Sequence, residues 1–280
     1  MTLTKRCLII LLMTMCYSVV FSFPAKADSP IARIDLELTP DKMAITFLHL
    51  PDGEATLIQG HEKTILVNAG GGHSERALKA QLKINGVTTI DTLILTNFEP
   101  PFRFNIKNVV QTYHVKTILT TDRIHQALKH QNSLHTNFMS WSTLKPVTLF
   151  PLLTVTKQSE SLVGDVNFIL TYGSNTLLYL GDQSSFESSL HPKPLHKVRI
   201  VKLSQFGTVC FTDQVLLDQL DPEVAILFKQ KNKPLNERLL KQLSDKMIET
   251  YNINHVGHLT FIFTKDSYDA VPLHSSSQPY

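Results

Sequence analysis

The sequence is poor in cysteine and lacks the short motifs that mark several common catalytic sites. Its 280 residues include three cysteines, Cys7, Cys16 and Cys210. It contains no Gly-x-Ser-x-Gly elbow, no phosphate-binding Gly-x4-Gly-Lys loop and no Cys-x-x-Cys pair. These absences argue against a serine hydrolase of the elbow type, a P-loop nucleotide site and a dithiol redox centre.

The first 27 residues have the pattern of a cleaved secretory signal. Lys5 and Arg6 precede an apolar run from Cys7 to Phe23, and Ala25-Lys26-Ala27 supplies small residues at the positions that a signal peptidase recognises. An uncleaved membrane anchor is the alternative, because the run approaches the roughly 18 residues that indicate a membrane span. We expect cleavage after Ala27. The expected product is a secreted or extracytoplasmic domain over residues 28–274, without a stable membrane span, and a flexible tail over residues 275–280.

The expected mature chain has no excess of charge of either sign. Cleavage lowers the number of Lys and Arg residues from 27 to 24, which equals the 24 Asp and Glu residues. A net charge of zero does not favour nucleic acid as a partner. Cleavage also leaves Cys210 as a single cysteine, which cannot form an intramolecular disulfide. The fold must therefore be stabilised by its hydrophobic core.

The spacing of apolar residues predicts an α/β chain that begins with a run of strands. Four strands are expected in succession, at Ile34–Leu38, Ala44–Leu50, Ala55–Gln59 and Thr64–Asn68. Helices and strands then alternate, at His73–Gly86, Thr92–Thr96, Ile106–His114, Lys116–Thr120 and Asp122–Gln131. In the second half, strands are expected at Leu152–Thr156, Val166–Tyr172, Thr176–Leu180, Val198–Leu203, Glu223–Phe228 and His258–Thr264, and helices at Thr212–Leu220 and Pro234–Lys246. Two sheets with helices outside each fit this order better than one parallel sheet.

Several segments in this order are similar to landmarks of a known fold. The stretch ITFLHLPDGEATLIQGHEKTILVNAGGG, from Ile45 to Gly72, resembles the opening of the metallo-β-lactamase fold in its ComEC-like branch of competence-protein hydrolase domains. The later segments IDTLILT, LLYLGD, VKLSQFGT and VGHLTFIFTKD follow in the order of that family. The resemblance covers nearly the whole expected mature chain. It implies an αββα sandwich, in which two mixed sheets pack face to face with helices outside.

The resemblance also implies that the metal ligands of the family have been lost. Active members have His-x-His-x-Asp-His after the threonine that corresponds to Thr96. Here the four ligand positions hold Asn97, Glu99, Pro101 and Phe102. The Gly-His-His-Gly-Ser segment of the family is replaced by Ser204-Gln205-Phe206-Gly207-Thr208. Two further aspartates of the family correspond to Glu54 and Asn68, whereas Asp182 stands unchanged where the bridging aspartate is expected.

The remaining side chains form a poor set of ligands for zinc. A catalytic zinc takes about three ligands from His, Cys or carboxylate, and none of the matched positions holds a histidine. Asp182 and Glu99 are hard oxygen donors, and Asn97 and Gln205 are weaker neutral ones, so any weakly bound divalent cation would be Mg²⁺, Ca²⁺ or Mn²⁺. No metal ligand, cofactor or catalytic residue is assigned. We predict that these four side chains converge at one mouth between the sheets.

Two phenylalanines indicate what has taken the place of the ligands. Phe102 and Phe206 supply apolar volume where histidine rings stand in the family, so the pocket is predicted to be refilled. The candidate residues of this degenerate pocket are Asn97, Glu99, Phe102, Asp182, Gln205 and Phe206, with Glu54 and Asn68 behind them. We expect an exported, non-catalytic protein that binds an unknown ligand or envelope protein. The alternative is a metal-dependent hydrolase of phosphoester-type substrates with unconventional ligands.

Other residues leave open alternatives. His191 and His196 lie in a proline-rich connection after Asp182 and could reach the pocket, although solvated loop histidines are the simpler interpretation. The Gly70–Gly72 run could bind an anion at a helix N-terminus, but a tight turn that needs unusual backbone angles explains it as well.

Overall fold

The structure is a computed structural model that describes residues 34–60, 62–131, 134–142, 145–189, 197–212, 214–228, 230 and 233–273. The predicted signal peptide, the predicted tail, His191 and His196 lie outside the described residues. Among the residues that are described, no helix is long and apolar enough to cross a membrane.

The strands form two sheets, each partly antiparallel and partly parallel. The first sheet contains β1 (Met43–Phe47), β2 (Thr56–Gln59), β3 (Thr64–Val67), β4 (Thr92–Ile94), β5 (Thr117–Thr120), β6 (Asn137–Ser140), β14 (His258–Phe263) and β15 (Tyr268–Leu273). The second contains β7 (Val147–Phe150), β8 (Leu153–Glu160), β9 (Val166–Tyr172), β10 (Asn175–Tyr179), β11 (Ile200–Lys202), β12 (Val224–Leu227) and β13 (Glu249–Asn252).

Each sheet has a parallel half, and the strand order shows which loops lie together at one edge of that half. The first sheet has the order β15-β14-β1-β2-β3-β4-β5-β6, and its strands are parallel from β3 to β6. The second has the order β13-β12-β11-β10-β9-β8-β7, and its strands are parallel from β10 to β13. The carboxyl ends of parallel strands lie at one edge of a sheet, so the loops after β3 and β4 share an edge, as do those after β10 and β11.

The helices of the described ranges lie along the connections between strands. They are α1 (Glu75–Ile84), α2 (Pro100–Arg103), α3 (Ile106–Thr112), α4 (Asp122–Gln131), α5 (Gln183–Ser189), α6 (Gln214–Leu220), α7 (Glu237–Asp245) and α8 (Ile253–Val256). α1 shows why these segments are helical, because its buried residues Ala77, Leu78, Gln81 and Leu82 share one face. Glu75 in its first turn and Lys83 in its last turn complement the helix dipole.

The hydrophobic core has three layers. Between the sheets, Phe47 packs on Phe228 with ring centroids 6.1 Å apart, and Trp141 packs on Phe168 at 5.2 Å. A second cluster joins the outer face of the first sheet to α1, α3 and α4, and a third joins the outer face of the second sheet to α5, α6 and α7. This arrangement of helix, sheet, sheet and helix confirms the fold class predicted from the sequence.

One predicted strand is wrong. Residues 34–38 were expected to be extended, but the structure has no strand there. Glu37 has a φ of 46°, in the left-handed region that strands do not use, and its backbone N–H donates to the side chain of Asp35 at 2.9 Å. The segment is attached instead by the backbone N–H of Ile34, which donates to the carbonyl of Ile84 at 2.9 Å.

Candidate functional site

The candidate site lies where the loops after β3, β4, β10 and β11 meet. At its centre Phe102 of α2 packs against Phe206, with ring centroids 5.4 Å apart and planes inclined by 36°. Both rings are almost fully buried. The structure therefore brings together the two phenylalanines that were predicted from the sequence to fill the pocket.

The backbone beneath Phe206 adopts an uncommon conformation. Gln205, Phe206 and Gly207 form a 3-10 turn in which all three residues have positive φ, at 47°, 56° and 67°. Non-glycine residues in the left-handed region cost on the order of 1–3 kcal/mol each. The contact of the Phe206 ring and the backbone hydrogen bonds from Gly207 N–H to the Ser204 carbonyl at 3.0 Å and from Thr208 N–H to the Gln205 carbonyl at 3.1 Å offset this cost.

Asp182 follows β10 and uses both carboxylate oxygens within the chain. Its Oδ2 accepts a hydrogen bond from the backbone N–H of Ser185 at 2.8 Å, which caps the start of α5. Its Oδ1 accepts from Nε2 of Gln205 at 3.4 Å. The structure thus brings two further predicted residues into contact, and Asp182 has a clear structural task at the helix end.

Asn97 and Glu99 lie in the loop after β4. The side-chain oxygen of buried Asn97 accepts from the backbone N–H of Glu99 at 2.6 Å, while the Glu99 side chain is exposed. This bond shapes the approach to α2, whose first residue is Pro100. The Asn97 oxygen, which is the atom that could bind a cation, therefore already accepts a hydrogen bond from the backbone.

Asp165, which sequence reasoning missed, connects these groups electrostatically. It stands directly before β9, whose first residue Val166 donates from its backbone N–H to the carbonyl of Thr96 at 2.9 Å. The pKa of Asp165 is raised to about 7, mainly by burial and also by the negative charges of Asp182 and Glu99, against a lowering hydrogen bond from Ser161. Three carboxyl groups therefore share the field of one mouth. Asp165 was not predictable from sequence, because it stands in an ordinary Gly-Asp turn.

A buried polar network lies behind the mouth. The Lys202 ammonium donates to Oε1 of Glu54 at 2.6 Å, and both side chains are fully buried. The Tyr179 hydroxyl and the Asn68 amide each donate to the same Glu54 oxygen at 2.9 Å. Asn68 also binds Thr96, at 2.9 Å from its Nδ2 to the Thr96 hydroxyl. Glu54 and Asn68, predicted to lie behind the pocket, meet here, and Lys202 is the partner that the sequence did not identify.

This network joins both sheets. Glu54 precedes β2 and Asn68 follows β3 in the first sheet, whereas Tyr179 ends β10 and Lys202 ends β11 in the second. Burial lowers the pKa of Lys202, and the Glu54 charge and hydrogen bond oppose that shift. Burial also raises the pKa of the Tyr179 hydroxyl, which keeps it a neutral donor.

Two histidines outside the mouth, His49 and His258, are linked by a hydrogen bond between backbone and side chain. Nδ1 of His258 accepts from the backbone N–H of His49 at 3.0 Å, and the two rings lie 6.1 Å apart. The pKa of His258 is lowered to about 4, mainly by burial and also by the neighbouring His49. His255 lies in α8, and His258 is the first residue of β14.

The side chains present do not fit the hydrolytic metal site that the fold family implies. In the part of the chain that the structure describes, no group of three or more His, Cys, Asp or Glu side chains could hold a metal ion. Asp182 caps a helix, Asn97 accepts a hydrogen bond from the backbone, and the Phe102 and Phe206 rings pack against each other at the centre of the site. What the mouth offers chemically is carboxylate and amide oxygens for hydrogen bonding and charge pairing.

Comparison with known sequences gives a distant match. No protein-family model matches the chain. A curated protein called Recombination protein 2, from Haemophilus influenzae, is 22% identical over 209 residues, which cover 71% of this chain and 26% of that protein. The chain thus spans about a quarter of the length of this relative.

Comparison with solved structures gives broad coverage. The metallo-beta-lactamase fold protein YhfI from Bacillus subtilis superposes with a TM-score of 0.54 and 16% identity, over 75% of this chain and 95% of YhfI. A diphosphatase from the PhnP family gives 0.53 and 13%, over 80% of this chain and 99% of that chain. The CmlA beta-hydroxylase E377D mutant gives 0.54 and 12%, over 81% of this chain and 54% of that chain. At these identities the likeness shows a shared fold alone.

Proposed function

We propose that this chain, which has the metallo-β-lactamase fold, is a binding protein that has lost the hydrolytic metal site. The observation that carries the proposal is the contact between Phe102 and Phe206, whose ring centroids lie 5.4 Å apart. These two buried rings were matched by sequence to histidine positions of the family, so on this proposal they take up volume that a metal ion and its water would need. A hydrolytic metal lowers the pKa of a bound water to about 7, and that water requires an open coordination position.

The mouth still has polar groups that could bind a ligand. Asp165, Asp182 and Glu99 keep their carboxyl groups at the loops where ligands bind in related α/β architectures. Recognition of a ligand or of another envelope protein needs such groups to be accessible, but it does not need them to hold a metal. The alternative, a metal-dependent hydrolase of phosphoester-type substrates, is favoured by the same three acids, which a divalent cation would have to draw together.

Metal content and turnover distinguish the two proposals. Purified protein should contain far less than one equivalent of zinc, manganese or magnesium, and should not hydrolyse bis(p-nitrophenyl) phosphate with added Mn²⁺ or Zn²⁺. Asp182→Ala is the matched variant, since it removes the carboxylate that stands at the bridging position. Turnover that Asp182→Ala abolishes in a folded protein would establish the hydrolase, and stoichiometric zinc in the purified protein would refute the loss of the metal site.

We propose further that the protein acts outside the cytoplasm. This rests on the basic, apolar and small-residue pattern of residues 5–27. N-terminal sequencing of the mature protein should therefore begin at Asp28. Recovery of an intact Met1 from a membrane fraction would show that the apolar run is an anchor.

A further inference from the structure

A groove beside the mouth has features that the proposed binding role does not yet explain. It lies between the turn that joins β8 to β9 and helix α5, and its volume is about 590 Å³. The turn contributes Leu162, Val163 and Asp165, and Asp182 lies at the start of α5. The helix contributes a row of hydroxyl groups, from Ser184, Ser185, Ser188 and Ser189.

The turn holds two apolar side chains out in water. Leu162 is 88% exposed and Val163 is 71% exposed. The turn is closed by hydrogen bonds from the Ser161 N–H to the Asp165 carbonyl at 2.8 Å and from the Gly164 N–H to the Ser161 carbonyl at 3.0 Å. Adjacent apolar side chains that a fixed turn presents to solvent are typical of interaction surfaces.

The turn is also attached to the other sheet. The Thr121 hydroxyl donates to the Gly164 carbonyl at 3.0 Å, and a Cβ at Gly164 would lie 2.9 Å from Cβ of Arg123. With a φ of 101°, this position requires glycine. The apolar pair is therefore held at a defined place beside the carboxylates, which lets one ligand contact both.

The carboxyl groups of Asp165 and Asp182 in the groove have no cationic side chain beside them in the described part of the chain. Within the described ranges, neither Asp165 nor Asp182 forms an ion pair, and no Lys, Arg or His side chain lines the groove. Glu160, which also lines it, is paired with Lys157 at 3.0 Å. Two carboxyl groups that lack an ion-pair partner, beside serine hydroxyls, complement a cation that carries several hydrogen-bond donors.

We propose that this groove binds a basic, extended peptide segment. A lysine or arginine of the segment pairs with Asp165 and Asp182, and a neighbouring apolar residue packs on Leu162 and Val163. Carboxylates and aliphatic side chains side by side favour a peptide over a simple amine, which would use the charge alone. This inference rests on the proposed binding role and names its ligand class.

The test uses fluorescence anisotropy with a labelled Lys-Leu-Lys-Leu-Lys-Leu peptide and the full mature chain. We expect binding that weakens with salt, and no binding of the matched Glu-Leu-Glu-Leu-Glu-Leu peptide. Asp165→Asn and the double variant Leu162→Ser/Val163→Ser should each weaken binding by about tenfold or more. Asp245→Asn and Met247→Ser are the controls, since both positions are exposed at the end of α7, and should change affinity by less than about twofold.

The outcomes separate this inference from the proposed function. Circular dichroism checks that each variant is folded, and metal content and phosphodiester turnover are measured on the same preparations. Absence of peptide binding, or binding that neither groove variant weakens, overturns the peptide proposal even if the protein is free of metal. Binding to neutral lipid vesicles that depends on Leu162 and Val163 but not on Asp165 also overturns it, because the turn would then be a membrane contact.

Discussion

Replacing Lys202 with methionine is expected to lower the free energy of unfolding by about 3–5 kcal/mol, because it leaves the Glu54 carboxylate buried without its cation. The Lys202 ammonium lies 2.6 Å from Glu54, and neither side chain contacts solvent. Methionine has nearly the same length, so the variant removes the charge and keeps most of the packing. The Tyr179 and Asn68 donors remain on Glu54 but carry no positive charge.

Urea unfolding followed by circular dichroism measures this effect. The double variant Lys202→Met/Glu54→Gln should recover most of the lost stability, because it removes both charges of the pair. Lys241→Met is the matched surface control: its ammonium pairs with Asp245 at 2.9 Å on the exposed face of α7, and we expect a loss below about 1 kcal/mol. If Lys202→Met unfolds at the same urea concentration as wild type, this buried pair does not hold the sheets together.

The elements with a strong apolar period were predictable from sequence. Helix α4 has the predicted bounds, Asp122–Gln131, and the strands β2, β3 and β9 lie within two residues of their predicted ends. Two edge strands were missed, because each is short and buries too few side chains to show the alternation of a half-buried strand. β6 (Asn137–Ser140) is mostly exposed, and β13 (Glu249–Asn252) is largely polar.

The candidate site shows a different limit of sequence reasoning. Alignment by landmarks pointed to Phe102 and Phe206, which the structure places in contact, and to Asp182 and Gln205, which share a hydrogen bond. It did not identify Lys202, because that residue stands in an apolar strand as a single charge and its partner Glu54 is 148 positions away. The two residues meet only when the two sheets pack against each other. Neither the local spacing of apolar residues nor a short motif can therefore predict the pair.

Replacing Gly53 with alanine is expected to lower the free energy of unfolding by more than about 3 kcal/mol, through backbone strain and a steric clash together. Gly53 has a φ of 75°, where side chains other than glycine are strained. A Cβ there would lie 2.0 Å from the Pro101 carbonyl oxygen and 2.4 Å from the Gly71 backbone nitrogen. Both contacts are to backbone, so no side-chain rotation can relieve them.

The clash would act on the mouth as well as on stability. The Glu54 N–H donates to the same Pro101 carbonyl at 3.1 Å, so a shift of Pro101 moves α2 and with it Phe102. Gly72→Ala is the matched control, because its Cβ would meet only the Phe104 ring, at 3.4 Å, and we expect a change within about 1 kcal/mol in urea unfolding. Equal stability of the Gly53→Ala and Gly72→Ala proteins would mean that the loop before β2 does not pack beneath α2. The contact between Phe102 and Phe206, on which the binding role rests, would then lose its support.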